Sequence, residues 1–133
     1  MTNLQEIEKI LNGDVQLLVT NAESLGKLLA PDLKASQLRN VYGLVRQAQM
    51  EWQRDRRTIA YNSLILLQPK LAYFDKRTEK RGTRPMGPLK EALDNAISVL
   101  RKDTEPNETH FKNFVDFCEA VVAYHKANRR DSD

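Results

Sequence analysis

The sequence predicts an all-α protein, a compact bundle of five to six helices in a single domain. Apolar residues recur at the three- and four-residue spacing of helices along most of the chain, and no segment reads convincingly as a strand. The 133 residues, 41% hydrophobic and 29% charged, have the length and composition of one globular domain rather than of a disordered chain. We therefore expect one helical domain over residues 1–133.

The first three helices are predicted from the N-terminal third of the chain. A short helix covers about residues 4–11 and ends near Asn12-Gly13. Pro31 and Asp32 separate the second helix from the third, and Ser36 is the predicted N-cap of the third. The apolar stripes of these two longer helices are Val15, Leu18, Ala22, Leu25 and Leu29, then Leu38, Val41, Val45, Ala48 and Trp52.

A fourth helical segment runs over about residues 58–76, and Pro69 interrupts it. A proline inside a helix removes one backbone hydrogen bond and crowds the carbonyl four residues back, so we expect a kink or break near Leu67-Gln68. Residues 78–86 are predicted to form a loop, and Pro88 suits the first turn of the next helix. The stripes on the two sides of this loop are Leu64, Leu67, Leu71 and Phe74, then Leu89, Leu93, Ala96 and Leu100.

The last predicted helix covers about residues 111–126 and has an unusually wide apolar face. Its stripe is widened by Phe117, Val122 and Tyr124, so the helix is predicted to be either a core element or a partner-facing surface. Residues 129–133 are predicted to form a frayed tail. The stripe itself consists of Phe111, Phe114, Cys118, Val121 and His125.

The sequence contains little that could support catalysis. His110 and His125 are about four turns apart on one helix, too far to share a metal ion. His125 is interpreted as a partly buried residue with one hydrogen bond, and Cys118 as a small core hydrophobe. There is no Gly-rich phosphate loop and no HExxH or CxxC spacing. We expect a binding protein rather than an enzyme, with no catalytic residues, no metal and no cofactor.

The location of the protein is predicted from its apolar runs. No run approaches the roughly 20 residues of a membrane span. The first residues, with Glu6 and Glu8 beside single apolar residues, lack the apolar core of a signal peptide. We therefore expect a cytoplasmic protein without membrane contact.

Positive charge is concentrated in the middle of the chain. Residues 39–84 contain 11 Lys/Arg and 4 Asp/Glu, a balance of +7, whereas the rest carries 10 Lys/Arg and 14 Asp/Glu, a balance of −4. A basic centre on a chain of net charge +3 indicates a polyanion held on one face. The alternative is an arginine-rich helix surface that only contacts solvent.

Helical geometry groups these cations into two sets. Arg39, Arg46 and Arg57 fall within about 20° of one another if the third helix persists that far, and Arg54 lies beside them. The second set, at the end of the fourth segment and in the loop, is Lys76, Arg77, Lys80, Arg81 and Arg84, of which the first two also complement the helix dipole.

Arginines spaced in this way suit successive phosphates of a nucleic-acid backbone and give no reason to expect base-specific recognition. The nearby aromatic residues Tyr73 and Phe74 are interpreted as core residues by their spacing. A duplex is therefore favoured over a single strand as the ligand.

Three sequence blocks resemble a known family. They are Ser-Gln-Leu-Arg-Asn at 36–40, Lys-Leu-Ala-Tyr-Phe-Asp-Lys-Arg at 70–77, and the segment from Phe111 to Lys126. In their order and spacing they resemble the small subunit of type III-A CRISPR effector complexes, the Csm small-subunit family. The chain differs from the family pattern at Asp75-Lys76 and at Pro69.

The resemblance implies a non-catalytic helical subunit that acts in antiviral defence. Copies of such a subunit stack into the inner filament of a ribonucleoprotein and flank the guide RNA–target RNA duplex. The implied partners are guide RNA, target RNA, copies of the chain itself, the backbone nuclease subunit and the large cyclase-like subunit. Leftover apolar width on the last helix would serve contacts with copies or with the large subunit.

The resemblance also ranks the candidate RNA-binding residues. Arg39, Arg46 and Arg77 lie in the matching blocks and are the first candidates. The remaining candidates are Arg54, Arg57, Lys70, Lys76 and Arg81. Two alternatives outside a CRISPR complex remain, a stand-alone helical nucleic-acid binder and a helical adaptor whose arginines pair with acidic protein surfaces.

Overall fold

Seven helices account for most of residues 3–129, the part of the chain that the computed structural model describes. They are α1 (Leu4–Leu11), α2 (Val15–Leu29), α3 (Ala35–Gln53), α4 (Arg57–Ile65), α5 (Leu67–Thr78), α6 (Gly87–Lys102) and α7 (Glu108–Asn128). The only β pairing within these residues is an isolated bridge between Lys80 and Thr83. The all-α prediction is confirmed, and counting α4 and α5 as one broken helix gives six helical segments.

Side-chain caps set the starts of three helices. Asn3, Asp14 and Asn107 each accept a hydrogen bond from the backbone N–H three residues on, at 2.9 to 3.0 Å. Gly13 follows α1 with φ of +112°, a conformation that favours glycine. The predicted bounds of α1 are confirmed.

The predicted N-cap of the third helix is wrong, because α3 begins one residue before Ser36. The residue ahead of the helix is Lys34, whose side chain has no acceptor atom. The Oε1 of Gln37 instead accepts a hydrogen bond from the backbone N–H of Lys34 at 2.9 Å. This is the backward half of a capping box, which satisfies the N–H of the residue before the helix and not the N–H groups of the first turn that a serine hydroxyl would bond.

The break that Pro69 predicts is confirmed, with Leu66 as the only residue between α4 and α5. Pro69 is the third residue of α5, a position where its missing N–H costs little. The N–H of Leu66 still bonds to the carbonyl of Asn62 at 2.9 Å, which completes the last turn of α4.

The predicted loop before α6 contains a tight turn. Arg81 and Gly82 have φ of +47° and +82°, and Lys80 and Thr83 exchange two backbone hydrogen bonds around them. Two successive positive φ values are the signature of a type I′ turn. Pro88 lies in the first turn of α6, as predicted.

Arg84 ties this loop to α5. Its Nη2 is 2.5 Å from Oδ2 of Asp75 and its Nε is 3.3 Å from Oδ1 of the same carboxylate, which is 8% exposed. The hydrogen bond to Asp75 raises the pKa of the Arg84 guanidinium. Grouping Arg84 with the free loop cations was therefore wrong, because this arginine is a structural clamp.

Helix α7 is the central helix of the bundle and packs against α1, α2, α3 and α6. The last helix was predicted to be either a core element or a partner-facing surface. The core role is confirmed, because the wide apolar face of α7 packs mainly against other helices of the same chain. The apolar surface of α7 that remains for partner contacts is small: Ala120, Val122 and Tyr124 are partly exposed, and the small side chains of Ala123 and Ala127 are exposed. The buried residues of α7 are Phe111, Phe114, Val115, Phe117, Cys118, Val121 and His125.

Helix α2 crosses α7 at very close range. A Cβ atom placed on Gly26 would lie 2.6 Å from Cβ of Tyr124 and 2.8 Å from the backbone N of His125. The Nε2 of His125, which is 1% exposed, lies 2.7 Å from the carbonyl oxygen of Leu33. His125 thus makes the one predicted hydrogen bond and is more buried than predicted.

The apolar stripes are confirmed with one exception. Val15, in the first turn of α2, is 66% exposed, and the buried side of that helix instead includes Asn21 and Gly26. Trp52 and Phe74 lie at the edges of their stripes and are half-buried.

Arg129, which the tail prediction included, is held by hydrogen bonds from its guanidinium to the carbonyls of Ala30 and Leu33 at 2.8 and 3.0 Å. The rest of the predicted tail, residues 130–133, lies outside the described residues. None of the helices between residues 3 and 129 has the length and hydropathy needed to cross a membrane.

The α2–α7 contact generates a stability prediction. We expect Gly26→Ala to lower the free energy of unfolding by about 1–3 kcal/mol, because the new methyl group would overlap the α7 backbone. The measurement is urea unfolding followed by far-UV circular dichroism.

Gly43→Ala is the matched control, since a Cβ there meets no atom within 4 Å. This control should be stabilised by about 0.5–1 kcal/mol, because alanine is a better helix former than glycine. If both substitutions changed the free energy of unfolding equally, the space between α2 and α7 at Gly26 would not be what requires glycine there.

Candidate nucleic-acid interface

All four acidic side chains of the basic central segment are already paired. Because these pairs occupy all of its carboxylates, the remaining cations have no ion-pair partner within the segment itself. The pairs are Glu51 with Arg54 and Arg56, Asp55 with Arg57, Asp75 with Arg84, and Glu79 with Lys76. The cations of this segment that make no ion pair within residues 3–129 are Arg39, Arg46, Lys70, Arg77, Lys80 and Arg81.

Two of these cations lie on the outer side of α3. Arg39 and Arg46 are exposed and separated by seven residues, a rise of about 10 Å along the helix. The opposite side of α3 is buried through Leu38 and Val45. The prediction that these arginines face outward is confirmed.

Arg46 also contacts a polar pair that joins α3 to α7. The Tyr42 hydroxyl donates a hydrogen bond to Oε2 of Glu119 at 3.2 Å, and Arg46 hydrogen-bonds with the same hydroxyl group. Burial raises the pKa of Tyr42, an effect that Arg46 opposes and Glu119 reinforces. The guanidinium of Arg46 is therefore held beside Tyr42 and Glu119 while the residue stays exposed.

The predicted alignment of Arg57 with Arg39 and Arg46 is wrong. Helix α3 ends at Gln53, and Asp55 adopts φ of +62° in the turn that follows, so Arg57 begins a different helix. Its guanidinium lies 4.8 Å from the ring centroid of Trp52. Arg57 also pairs with Glu108 at 3.9 Å.

Arg57 thus covers one end of an aromatic stack. The Trp52 ring stacks on Phe111 with centroids 4.2 Å apart and planes 16° apart. A cation over a tryptophan face is attracted by the ring quadrupole, so Arg57 has a structural role in holding α3, α4 and α7 together. Arg54, next to this turn, pairs with Glu51 at 3.9 Å and keeps a 62% exposed side chain.

The second group of free cations lies on α5. Lys70, Tyr73 and Arg77 are spaced by three and four residues and form one exposed stripe. Tyr73 is 59% exposed, so its assignment to the core is wrong. Lys76 is about 100° around the helix from Arg77 and pairs with Glu79 at 3.5 Å.

Two depressions lie where α3 faces the residues of α4 and α5, and together they are called the α3–α5 furrow below. The first, of about 280 Å³, is lined by Gln37, Asn40, Phe74, Arg77, Thr78 and Met86, and is called the Arg77 depression below. The second, of about 390 Å³, has Gln47, Arg54 and Lys70 among its lining residues. The two depressions have Arg54, Lys70 and Arg77 in their linings. Arg39 and Arg46 line neither depression and lie about 100° further around α3, on the side of the helix that faces Tyr42 and Glu119.

A cleft on another side of the bundle has the opposite charge. It lies between α2 and α6, has a volume of about 440 Å³, and includes Glu6 and Glu91 in its lining. Neither carboxylate makes an ion pair within residues 3–129. This cleft is unsuited to a polyanion.

His110, at the start of α7, belongs to a polar cluster that was not predicted from the sequence. Its Nδ1 is 2.9 Å from Oδ2 of Asp103 and its Nε2 is 2.8 Å from Oδ1 of Asn12. The Tyr61 hydroxyl donates a short hydrogen bond to the same oxygen of Asp103. Burial, and then this hydrogen bond, raise the pKa of Tyr61. His110 thus joins the end of α1 to α4 and to the α6–α7 connection.

This cluster gave no signal in the sequence because His110 and Asn12 are 98 residues apart in the chain. Between residues 3 and 129, no three His, Cys, Asp or Glu side chains are grouped as metal ligands. Cys118 is 6% exposed, and burial raises the pKa of its thiol to about 12. A neutral buried thiol is a core residue, as predicted.

One family comparison matches nearly the whole chain. A family model described as Csm2 Type III-A matches residues 12–131. The matched region contains all eight predicted site residues and helices α2 to α7. Comparison with curated proteins and with solved structures gives no match.

The environment of Cys118 generates a prediction about reactivity. In the folded protein at pH 8 the thiol stays protonated, because pH 8 is far below its raised pKa of about 12. We expect alkylation by iodoacetamide to be at least about 100-fold slower than for the urea-unfolded chain, whose thiol has the ordinary pKa of about 8.5. Mass spectrometry of timed samples gives both rates, and equal rates would contradict the burial.

Proposed function

The chain belongs to the Csm2 type III-A family, the small subunit of the Csm complex, and we propose that it holds the guide RNA–target RNA duplex there without catalysing a reaction. In this proposal the subunit contacts phosphates, and its copies stack into the inner filament of the complex in the cytoplasm. Its neighbours are the backbone nuclease subunit and the large cyclase-like subunit.

The observation that carries the proposal is the set of exposed cations on α3 and α5 that make no ion pair within residues 3–129. They are Arg39, Arg46, Lys70 and Arg77, of which Arg46 contacts the Tyr42 hydroxyl beside Glu119. Fixed positive charge on one face attracts a polyanion and releases its condensed counterions. Planar guanidinium groups also match the geometry of phosphate oxygens.

The contacts proposed here are independent of RNA sequence. Side chains on the outer surface of two helices can meet the phosphates of a duplex, whereas the deep, narrow major groove of A-form RNA excludes them. In an RNA-guided complex the base pairing between guide and target supplies the specificity. A subunit that contacts only the sugar–phosphate backbone of the duplex can therefore bind a duplex formed with any guide sequence.

The structure divides the eight candidates into two groups by their existing contacts. Arg39, Arg46, Lys70, Arg77 and Arg81 form no ion pair within the described range, so we assign the main phosphate contacts to them. Arg54, Arg57 and Lys76 are paired with carboxylates, and we assign them a secondary role at the border of the furrow.

The proposal predicts the effect of removing three charges. We expect Arg39→Ala, Arg46→Ala and Arg77→Ala together to weaken binding to a guide–target RNA duplex at least about tenfold at 0.1 M salt. The slope of log affinity on log salt should fall by about two to three, because three phosphate contacts are lost. Fluorescence anisotropy with duplexes of two unrelated sequences measures both quantities, and the loss should be equal for the two sequences.

The matched control removes three charges elsewhere, with Lys9→Ala, Lys27→Ala and Lys102→Ala on α1, α2 and α6. This variant should keep most of the affinity and of the salt slope. Equal losses in both triple variants would show that only net charge matters, and unchanged binding in the arginine variant would leave the helical adaptor as the better function. Far-UV circular dichroism and melting should show that both variants stay folded.

A further inference from the structure

We propose that the Arg77 depression receives one unpaired base of the RNA bound on this face. The inference rests on the proposed function and extends it, because phosphate contacts account for the cations but not for a depression with an exposed aromatic side chain beside it. The ligand class is a single nucleotide of an RNA strand whose base is not paired.

The depression has an apolar floor of suitable character. Met86 is almost wholly buried, so the apolar surface of the depression is chiefly that of Phe74, which is half-buried at the edge of the core and held in place by packing. A nucleobase has an apolar face that stacks on aromatic side chains whatever its identity. The volume of about 280 Å³ lies just below the range of about 300–1,000 Å³ of small-ligand sites, so the depression suits a ligand as small as one base better than a base pair.

The α3 wall of the depression supplies polar groups. Asn40 is exposed, and its side chain makes no hydrogen bond within the described part of the chain. The Oε1 of Gln37 already accepts from the backbone of Lys34, which leaves its amino group as a donor. Two amides on one wall can bond to the exposed edge of an unpaired base, and in a duplex that edge is occupied by the partner base.

The α5 wall supplies a charge and an aromatic platform. Arg77 makes no ion pair and lies at the depression, where it would meet the phosphate of the inserted nucleotide. Tyr73, one turn earlier on the same stripe, is 59% exposed, and its ring centroid is 6.1 Å from that of Phe74. Tyr73 is therefore placed at the side of the depression, where its ring would stack on the unpaired base next to Phe74.

The chemistry of the lining argues for a nucleotide over a protein side chain. No carboxylate lines the depression, so a Lys or Arg side chain of a partner would find no counter-charge there. A planar group attached to a phosphate matches both the apolar floor and the free guanidinium of Arg77.

The experiment uses the full chain and two RNA duplexes at about 50 mM salt. One duplex is fully paired, and the other has the same sequence with a single unpaired 2-aminopurine. We expect the protein to bind the second duplex at least about fivefold more tightly and to quench its 2-aminopurine fluorescence, because the base stacks on an aromatic ring. Affinity is measured by anisotropy of an end label, and stacking by the fluorescence of the base.

Two variants test the walls of the depression. Tyr73→Ala and Asn40→Ala change exposed side chains, so both proteins should fold normally, and each should lose the preference for the unpaired base while keeping its affinity for the paired duplex. Tyr73→Phe retains the ring and should behave as the original protein.

The outcomes separate this inference from the proposed function. Equal affinity for both duplexes without quenching would overturn the unpaired-base site and leave the phosphate contacts standing. Failure to bind either duplex would overturn both proposals. A preference that survives Tyr73→Ala and Asn40→Ala would place the base elsewhere and contradict the inference.

Discussion

The close crossing of α2 over α7 is the constraint on which the rest of the bundle depends. Gly26 has no Cβ, and only its absence lets α2 lie against the backbone at Tyr124 and His125. The hydrogen bonds from His125 and Arg129 to the carbonyl of Leu33 then fix the connection that leads into α3. Because α3 packs its buried side on α7, its arginines are left on the outer surface.

The second organising feature is the distribution of charge pairs. Local carboxylates neutralise the cations that hold the structure together, such as Arg84 on Asp75 and Arg57 beside Trp52. Lys70 and Arg77, which make no ion pair within residues 3–129, line the α3–α5 furrow, whereas the α2–α6 cleft has the unpaired carboxylates Glu6 and Glu91 in its lining. The bundle thus presents a positive face and a separate acidic cleft, an arrangement suited to a subunit that holds RNA on one side only.

The helices and the outward position of the α3 arginines could be predicted from sequence because both follow from apolar spacing. The break at Pro69 was predictable for the same local reason. Arg57 was misplaced because one left-handed residue, Asp55, ends α3 early, and nothing in the spacing signals it. Tyr73 was misassigned because adjacent helical residues differ by about 100°, so only Phe74 of the two can turn toward the core. The Asp75–Arg84 clamp and the His110 cluster depend on tertiary contacts, which periodicity does not encode.

Photo-crosslinking of RNA to protein in the purified effector complex, with the linked peptides identified by mass spectrometry, would show directly which face of the subunit meets RNA. If RNA lies along α3 and α5, cross-links fall in peptides of these two helices, around Arg39 to Arg46 and Lys70 to Arg77, with Tyr73 among the linked residues. Cross-links confined to the α2–α6 side, near Glu6 and Glu91, would contradict this position of the RNA.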